Sequence, residues 1–346
     1  MVNIFRRALF PALILFLGMC VSAEAKREIV DMAGRKVIVP DTIRKVYCTV
    51  PPATFMIYAV DPGLLAGLNS PIPQEGKKYL DRRVLKLPVV GGWMGQGKTP
   101  NLETLLKIRP DIVVAWRWKG AASDAKLQET LDQLGLPLVY ITIDSVNDYP
   151  EAFRFLGRLL GREKRSEKLS RYAQRTLEDL KKLRSAIPNP EKVTVYYAEG
   201  ADGLNTECSD SVHAELIPLS GGKNIYRCET KTIYGMEKIS LEEVLNRNPD
   251  VILARERAFM DSVLKDRRWA HVRAVQNRRI YRAPLVPLDW FDRPPTFMRL
   301  LGAKWLANTL YPARFPFNRI RETQDFYRLF LNVSLSEQAA REILSL

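Results

Sequence analysis

The spacing of hydrophobic residues shows that one structural unit occurs twice in the chain. Residues 101–115 have the sequence NLETLLKIRPDIVVA, and residues 240–254 have the sequence SLEEVLNRNPDVILA, aligned without a gap at an offset of 139 residues. Each copy begins with a residue that favours helix N-caps, continues with apolar side chains at helical spacing, and then has a proline that ends the helix. The apolar run that follows is typical of a buried strand in a parallel sheet. The pattern therefore predicts a helix and then a strand in each half.

A repeat offset this long indicates two similar α/β lobes rather than a stack of small repeats. Between the lobes, residues 150–187 have apolar side chains at helical spacing and many charge pairs four residues apart, until Pro188 and Pro190 end the pattern. We predict an N-terminal lobe at residues 26–149, a linking helix at residues 150–187, and a C-terminal lobe with C-terminal helices at residues 188–346. One continuous helix would make a stiff hinge; two helices broken at Gly161 are the alternative.

The first 25 residues have a different character. Arg6 and Arg7 precede an apolar run at residues 8–21, and Ala23 and Ala25 fit a cleavage site for small residues. This is the pattern of a cleaved secretory signal peptide, and the run is shorter than the roughly 20 residues that a membrane-spanning helix needs. We therefore expect the protein in the periplasm. A lipid anchor on Cys20 is the less favoured alternative, because the preceding methionine fits a lipoprotein signal poorly.

Charge and cysteine content narrow the possible partners. The formal net charge is +14, which suits an anionic ligand or an anionic membrane surface. The sequence has no nucleic-acid recognition motif, and an extracytoplasmic location also argues against nucleic acid. Beyond the signal segment, Cys208 and Cys228 lie 20 residues apart in the same half and are the favoured disulfide pair, with three free thiols, including Cys48, as the alternative.

Residues 92–99, with the sequence GWMGQGKT, fit the consensus of a nucleotide phosphate-binding loop. In such a loop the Lys-Thr pair begins the helix, but here Pro100 follows Thr99 and keeps it out of the helical conformation. We therefore expect the helix to begin after Asn101, with Lys98 and Thr99 in the preceding loop. The second copy of the repeat has MEK in place of GKT. This argues against a nucleotide site, and the glycines would instead let the loop approach a cleft with Trp93 at its edge.

No motif predicts catalysis. The sequence lacks G-x-S-x-G, H-E-x-x-H and the dinucleotide glycine fingerprint, and it contains only two histidines. His271 is expected to be structural or superficial. His213, at a predicted loop-to-helix junction, is a candidate ligand contact with capping or packing as the alternative, and one histidine does not make a metal cage. The segment PLDWFDRPPTF holds Trp290 and Arg293 between prolines, which suits a flat or anionic ligand, with a packed loop as the competing interpretation.

The chain after the signal segment resembles the periplasmic substrate-binding proteins of ABC importers for metal chelates, the group that handles ferric siderophores, haem and vitamin B12. REIVDMAGRKVIVP is similar to the opening hairpin of that family, and NLETLLKIRPDIVVAW to its most recognisable motif. LIPLSGGKNIY is similar to a helix and Gly-Gly turn of the second lobe, and DWFDRPP with RLLGAKWLANTLYP to the C-terminal segment. The resemblance implies an α/β fold of two Rossmann-like lobes, with central sheets flanked by helices, joined by a single long α-helix (a class III periplasmic binding protein).

The resemblance implies that the protein captures an iron-siderophore-type chelate, haem or cobalamin between the lobes and is not an enzyme. The first alternative is the same fold binding a bare transition-metal ion such as nickel, or an oxyanion such as molybdate or tungstate. The second is a secreted enzyme on a related scaffold, such as a reductase subunit, for which the cofactor-ligating Cys or His clusters are missing. We expect no cofactor apart from the transported ligand.

The resemblance also implies which residues face the cleft and which meet other proteins. The expected ligand contacts are Thr49, Pro51, Thr54, Trp93, Gln96, Trp116, Arg117, Ser211, His213, Tyr234, Arg255, Glu256, Trp290 and Arg293. Among these, Trp93, His213, Trp290 and Arg293 are the leading candidates, and His213 is the candidate metal contact. The expected partners are a permease dimer and its cytoplasmic ATPase, with Asp124, Asp261 and Asp266 as candidate docking residues. We expect a monomer.

Overall fold

The computed structural model describes residues 25–93, 99–118, 124–229 and 235–346. The predicted cleft residues Gln96 and Tyr234 lie outside these ranges, as do Lys98 and the predicted signal peptide. Within the described ranges, no helix is both long enough and apolar enough to span a membrane.

The first lobe is built on a parallel sheet. It opens with an antiparallel hairpin of β1 (Lys26–Val30) and β2 (Lys36–Pro40), and the sheet then has the order β3 (Val46–Cys48), β4 (Ile112–Arg117), β5 (Leu138–Thr142). Alternate residues of β4 enter two separate hydrophobic clusters, one on each face of the sheet. This explains the uninterrupted apolar run in the sequence. The helices of this lobe are α1 (Pro51–Val60), α2 (Gln74–Lys77), α3 (Leu102–Ile108) and α4 (Ala125–Gln133).

Two helices, α5 (Tyr149–Leu160) and α6 (Glu163–Ser185), connect the lobes. The prediction of one continuous helix over residues 150–187 is therefore wrong, and the alternative of two helices broken at Gly161 is confirmed. Gly161 ends α5 in the left-handed conformation, with φ of 63°, and donates its backbone N–H to the carbonyl of Gly157. A glycine adopts this conformation without steric penalty, so it ends the helix despite the helical pattern on both sides. The 23 residues of α6 serve as the long linking helix of the predicted fold class.

The second lobe has a parallel sheet of its own. Its strands are β6 (Thr194–Ala198), β7 (Asn205–Thr206), β8 (Lys223–Asn224), β9 (Glu237–Lys238), β10 (Val251–Ala254) and β11 (Ile280–Tyr281). The sheet has the order β11-β10-β6-β8, while β7 and β9 form a short antiparallel pair. The helices are α7 (Leu216–Leu219), α8 (Leu241–Arg247), α9 (Arg257–Ser262), α10 (Arg273–Gln276), α11 (Met298–Leu310), α12 (Arg319–Phe326) and α13 (Glu337–Leu344).

The structure confirms the sequence repeat. The side chain of Asn101 caps α3 by accepting from the amide of Thr104 at 2.8 Å, and Ser240 caps α8 by accepting from Glu243 at 3.1 Å. Both helices end in a left-handed residue, Arg109 with φ of 43° and Asn248 with φ of 42°, each followed by proline. The prolines exclude another helical turn, and β4 and β10 begin two residues after them. Because α3 begins at Leu102, Thr99 precedes the helix, as expected for a loop that is not a nucleotide site.

The C-terminal helices contact the first lobe as well as the second. The hydroxyl of Tyr58 in α1 donates to the carbonyl of Leu331 at 2.8 Å, and Arg165 in α6 donates to the side-chain oxygen of Asn332 at 3.1 Å. These contacts tie the end of the chain to the linking helix and to α1. The lobe boundaries at residues 149 and 187 stay a prediction.

Cys208 and Cys228 form a disulfide, with their Cα atoms 5.1 Å apart, and Cys48 is a buried free thiol. The bridge closes a loop that begins just after β7, includes β8 and ends at Cys228. The predicted pairing is therefore present in the fold.

We expect the double variant Cys208→Ser/Cys228→Ser to lose about 3 kcal/mol of unfolding free energy, because the bridge restricts a 20-residue loop in the unfolded chain. Urea unfolding followed by circular dichroism measures the change. Dithiothreitol should lower the stability of the wild type to the same level and leave the double variant unchanged. Equal stability of the oxidised wild type and the double variant would contradict the expectation.

Candidate functional site

Segments that follow the strands of the two parallel sheets contact each other. Val146 follows β5 in the first lobe, and its amide donates to Glu215 Oε1 of the second lobe at 2.9 Å. The other oxygen of Glu215 accepts from Arg299 Nη2 at 2.6 Å. Nearby, the hydroxyl of Tyr149 donates to the carbonyl of Pro295 at 3.3 Å. Ligands of open α/β sheets bind at the carboxyl ends of strands, so this meeting line is the candidate site.

On the first-lobe side, aromatic and cationic residues end β4. Trp116 is 5% exposed, its ring lies 6.3 Å from that of Trp118, and its indole Nε1 has no hydrogen-bond partner in the described part of the chain. Arg117, the last residue of β4, places its guanidinium 5.7 Å from the ring of Tyr140. Trp93 is partly exposed and packs 6.0 Å from Tyr47. These predicted contacts therefore lie on or beside the carboxyl edge of the sheet.

Three predicted contacts after β3 make local structural contacts, and their contact with a ligand stays a prediction. The carbonyl of Thr49 accepts from the amide of Trp93 at 2.9 Å, and Thr54 Oγ1 donates to Asn69 Oδ1 at 2.6 Å. Both threonine residues are 2% exposed, and Pro51 is the first residue of α1. A Cβ on Gly92 would lie 2.9 Å from the Thr49 carbonyl, so the loop needs glycine there to approach β3 this closely. Thr49 and the close approach at Gly92 hold the backbone of Trp93 in place.

On the second-lobe side, Arg293 lies at the centre of a buried ionic cluster. Its Nε lies 3.2 Å from Glu199 Oε1 and 3.0 Å from Asp292 Oδ2, and its Nη2 lies 2.5 Å from Glu207 Oε1. All three carboxylate side chains are fully buried, and the Arg293 side chain is 18% exposed. Ser211 Oγ donates to Glu207 Oε2 at 2.7 Å. Buried ions persist only when they are paired this closely, so the cluster is a rigid unit.

His213 belongs to the same cluster. Its Nε2 lies 3.1 Å from Arg293 Nη1, and its Nδ1 lies 3.2 Å from Asp292 Oδ2. Among the described residues, no group of His, Cys, Asp and Glu side chains is arranged to hold a metal ion. The structure therefore gives the predicted metal contact at His213 no support, because a guanidinium already faces its Nε2. Its place beside Arg293 at the carboxyl edge agrees with a location near the ligand.

Burial changes the protonation of two acids in the cluster. It raises the pKa of Glu199 to about 9, against the opposing effect of Arg293. Burial, together with the nearby charge of Asp292, raises the pKa of Asp289 to about 7. Glu199 is therefore protonated at neutral pH, and its Oε2 has no hydrogen-bond partner among the described residues.

The prediction for Trp290 needs correction. Trp290 is fully buried, its indole Nε1 donates to the carbonyl of Val286 at 3.2 Å, and its ring lies 6.4 Å from that of Tyr327. A Cβ on Gly302 would lie 1.8 Å from the Trp290 carbonyl, so α11 packs directly on this residue. Trp290 thus has a packing role, while its neighbour Arg293 reaches the cluster. The aromatic composition of the segment alone could not distinguish these two roles.

The three candidate docking residues already have local partners. Asp124 caps α4 by accepting from the amide of Leu127 at 3.0 Å, and Asp261 lies 3.5 Å from Arg257. Asp266 caps the turn after α9, and its hydrogen bonds to Arg268 hold its pKa below the usual range. Asp124 and Asp261 remain exposed at the surface. Docking by these residues stays a prediction.

Two carboxylates of the cluster, Glu199 and Glu207, were not identified from the sequence. Glu199 directly follows the buried strand β6, in the position that Arg255 occupies after β10. A charged residue immediately after a buried strand is the signal that could have identified it. Glu207 gives no such signal, because only the folded loop brings it to Arg293.

The model of a family described as periplasmic binding protein matches residues 84–286, more than half of the chain. The chain belongs to this family. It is a class III periplasmic binding protein of an ABC importer, so the resemblance and the predicted fold class are confirmed. The family consists of proteins that bind transported ligands. This confirms the predictions that the chain is not an enzyme and has no cofactor, and it agrees with a periplasmic location.

Three similar proteins illustrate the relatives of this chain, and the names of two of them specify different ligands. An ABC transporter solute binding protein from Sulfurospirillum deleyianum is 37% identical, with a TM-score of 0.85 over 92% of this chain and 99% of that chain. The molybdate-binding protein MolA of Haemophilus influenzae is 23% identical over 92% of this chain and 95% of its own length. A vitamin B12-binding protein of Salmonella paratyphi A is 27% identical over 65% of this chain and 77% of its length.

We expect Glu199→Gln to change how stability depends on pH. The glutamate is ionised above its ordinary pKa in the unfolded chain but stays protonated up to about pH 9 in the fold, so wild-type stability falls as pH rises through this range. Glutamine removes that slope, which is at most about 1.4 kcal/mol per pH unit. Urea unfolding at pH 5, 7 and 9 should show a difference that grows with pH. The exposed control Glu129→Gln should show none, and parallel curves for Glu199→Gln would contradict the expectation.

Proposed function

We propose that the protein captures an anionic metal complex of the iron-siderophore type between its two lobes and delivers it to the permease of an ABC importer. One observation carries this proposal: arginine and aromatic side chains lie together at the carboxyl ends of β10 and β11. There, a small pocket is lined by Arg255 and Arg282 together with Tyr197, Phe291 and Asp289. Positive charge beside aromatic rings suits a ligand that is both anionic and aromatic.

The two arginine residues of this pocket keep the capacity to bind a ligand. Arg282 Nε donates to the carbonyl of Arg255 at 3.0 Å, which fixes its direction. The side chain of Arg255 is 30% exposed, in contrast to the deeply paired Arg293. Asp289 is the carboxyl group of the pocket, and its raised pKa of about 7 reduces its negative charge near neutral pH. The pocket is therefore positive on balance.

The first-lobe edge supports the same class of ligand. The buried indole Nε1 of Trp116 lacks a partner among the described residues, and Arg117 follows it at the end of β4. An orphaned donor and a cation at this edge suit a ligand with oxygen acceptors. A chelate held by catecholate or hydroxamate groups has such oxygens on its surface.

A molybdate-type oxyanion is the second candidate ligand. It is favoured by the relative MolA, named a molybdate-binding protein, which aligns with 92% of this chain and 95% of its own length. A bare cation such as nickel has less support, because the described residues contain no set of side chains arranged as metal ligands. The two leading candidates differ in the surface they need: an oxyanion needs a few convergent donors, whereas a chelate would also contact the first-lobe edge beyond the small pocket.

A binding panel tests the proposal. The wild-type protein is titrated by calorimetry with iron(III) tris-catecholate, an iron(III) hydroxamate, haemin, cyanocobalamin, sodium molybdate and nickel chloride. Native mass spectrometry of protein purified from the periplasm of its own host gives an independent ligand mass. Binding of an iron chelate supports the first candidate, and binding of molybdate alone supports the second. Binding of nickel alone, or of none of the six, would reject an anionic ligand.

We expect Arg255→Ala to weaken binding of the anionic ligand by roughly ten- to a hundredfold, as for the loss of a charge-assisted contact. Arg257→Ala is the matched control, because Arg257 is two residues away, has the same charge, is exposed, and pairs only with Asp261 among the described residues. Calorimetric titration of both variants measures the effect, and thermal unfolding verifies that each variant is folded. Equal weakening in both variants would point to a general charge effect and would contradict a role for Arg255.

A further inference from the structure

We infer that Glu256 is an internal competitor for the anion site: its carboxylate holds the guanidinium of Arg255 and is displaced when an anionic group of the ligand binds there. This inference rests on the proposed function, since it assumes an anionic ligand at Arg255. It assigns Glu256 a role in setting affinity, separate from any direct contact with the ligand.

The geometry places the two residues in direct competition with a ligand. Arg255 Nη1 donates to Glu256 Oε1 at 2.9 Å. The two residues are adjacent in the turn between Ala254, the end of β10, and Arg257, the start of α9. Their side chains are 30% and 28% exposed, so the pair lies at the border between solvent and the buried cluster. A ligand oxygen that approaches Arg255 from the pocket meets a guanidinium that Glu256 already occupies.

The pairing is incomplete, which makes exchange favourable. Arg255 Nε and Glu256 Oε2 are both buried, and neither has a hydrogen-bond partner in the described part of the chain. Glu199 Oε1 lies 3.9 Å from that Nε, beyond hydrogen-bond distance. Buried donors and acceptors without partners are unfavourable. A ligand that satisfies the free nitrogen of Arg255 and lets Glu256 return to water removes both defects.

The ion pairs of Arg293 in the same lobe differ from that of Arg255, because they are too deeply buried to exchange. Arg293 has three fully buried carboxylates within 3.2 Å, and its side chain is 18% exposed. A ligand would have to break several buried ion pairs to reach it, which strongly destabilises a protein. Arg255 has one partly exposed partner at hydrogen-bond distance. The exchangeable cation of this edge is therefore Arg255, and Glu256 is the group that exchanges.

The test compares Glu256→Gln with wild type in titrations with two probes, iron(III) tris-catecholate and sodium molybdate. Glutamine keeps the shape of the side chain but removes the competing charge, so we expect the Kd of whichever probe binds to fall by roughly three- to tenfold. The control is Glu243→Gln, because Glu243 makes a comparable pair with Arg247, at 2.6 Å with both side chains 36% exposed, on α8 away from the pocket. This control should leave the Kd unchanged.

A double variant separates local competition from a general charge effect. If Glu256 acts through Arg255, Arg255→Ala/Glu256→Gln binds no better than Arg255→Ala alone. Equal Kd values for wild type and Glu256→Gln, or a gain that persists without Arg255, would overturn the inference while leaving the proposed function intact. If neither probe binds wild type or Glu256→Gln, the competitor role toward these anions is rejected, and the other compounds of the panel decide whether the protein takes a different anionic ligand.

Discussion

The arrangement of the second lobe depends on the burial of Arg293 with three carboxylates. Glu199, Glu207 and Asp292 are fully buried, and all three contact the guanidinium of Arg293, which offsets the cost of burying them. These acids come from the end of β6, from the loop after β7 and from the segment that precedes α11. One cation therefore fixes three separate loops at the carboxyl edge of the sheet. The disulfide between Cys208 and Cys228 adds a covalent restraint beside Glu207.

This rigidity defines where binding can occur. A ligand needs groups that exchange water or a weak partner for its own atoms, and the Arg293 cluster offers few of them. The adjacent ends of β10 and β11 differ, because Arg255 and Arg282 are partly exposed there. On the opposite lobe, Trp116 has an orphaned indole donor within the described chain. The partly exposed arginine side chains and that unpaired indole N–H thus lie around the fixed cluster, on both sides of the contact between the lobes.

The features that could be predicted from the sequence are those that depend on residues close together in the chain. The repeat, its caps and its prolines act within a few residues, so α3 with β4 and α8 with β10 were predictable from spacing alone. The prediction of a continuous linking helix was wrong at Gly161. There, one residue in the left-handed conformation ends the helix although the pattern on both sides is helical. Only part of the ionic cluster could be predicted. Arg293 was a candidate, but its partners Glu199 and Glu207 are 94 and 86 residues away in sequence. Contacts across such separations follow from topology, which spacing does not encode. For the same reason Trp290, in an aromatic segment, could not be assigned to the core in advance.

The net positive charge of the protein and the local charges at the carboxyl edge of the sheet affect anions in different ways. A formal net charge of +14 attracts anions to the protein in general and accelerates their encounter, but it does not select among them. Selectivity among anions requires an energetic cost of binding at the site itself, and under the proposal the carboxylate of Glu256 supplies that cost. Glu256 occupies Arg255, so a weakly charged anion would gain little by displacing it. A ligand with several oxygen atoms and a delocalised negative charge can replace Glu256 and also satisfy donors on both lobes. Under the function proposed above, long-range attraction combined with short-range competition by Glu256 would favour a multivalent anionic complex over simple anions.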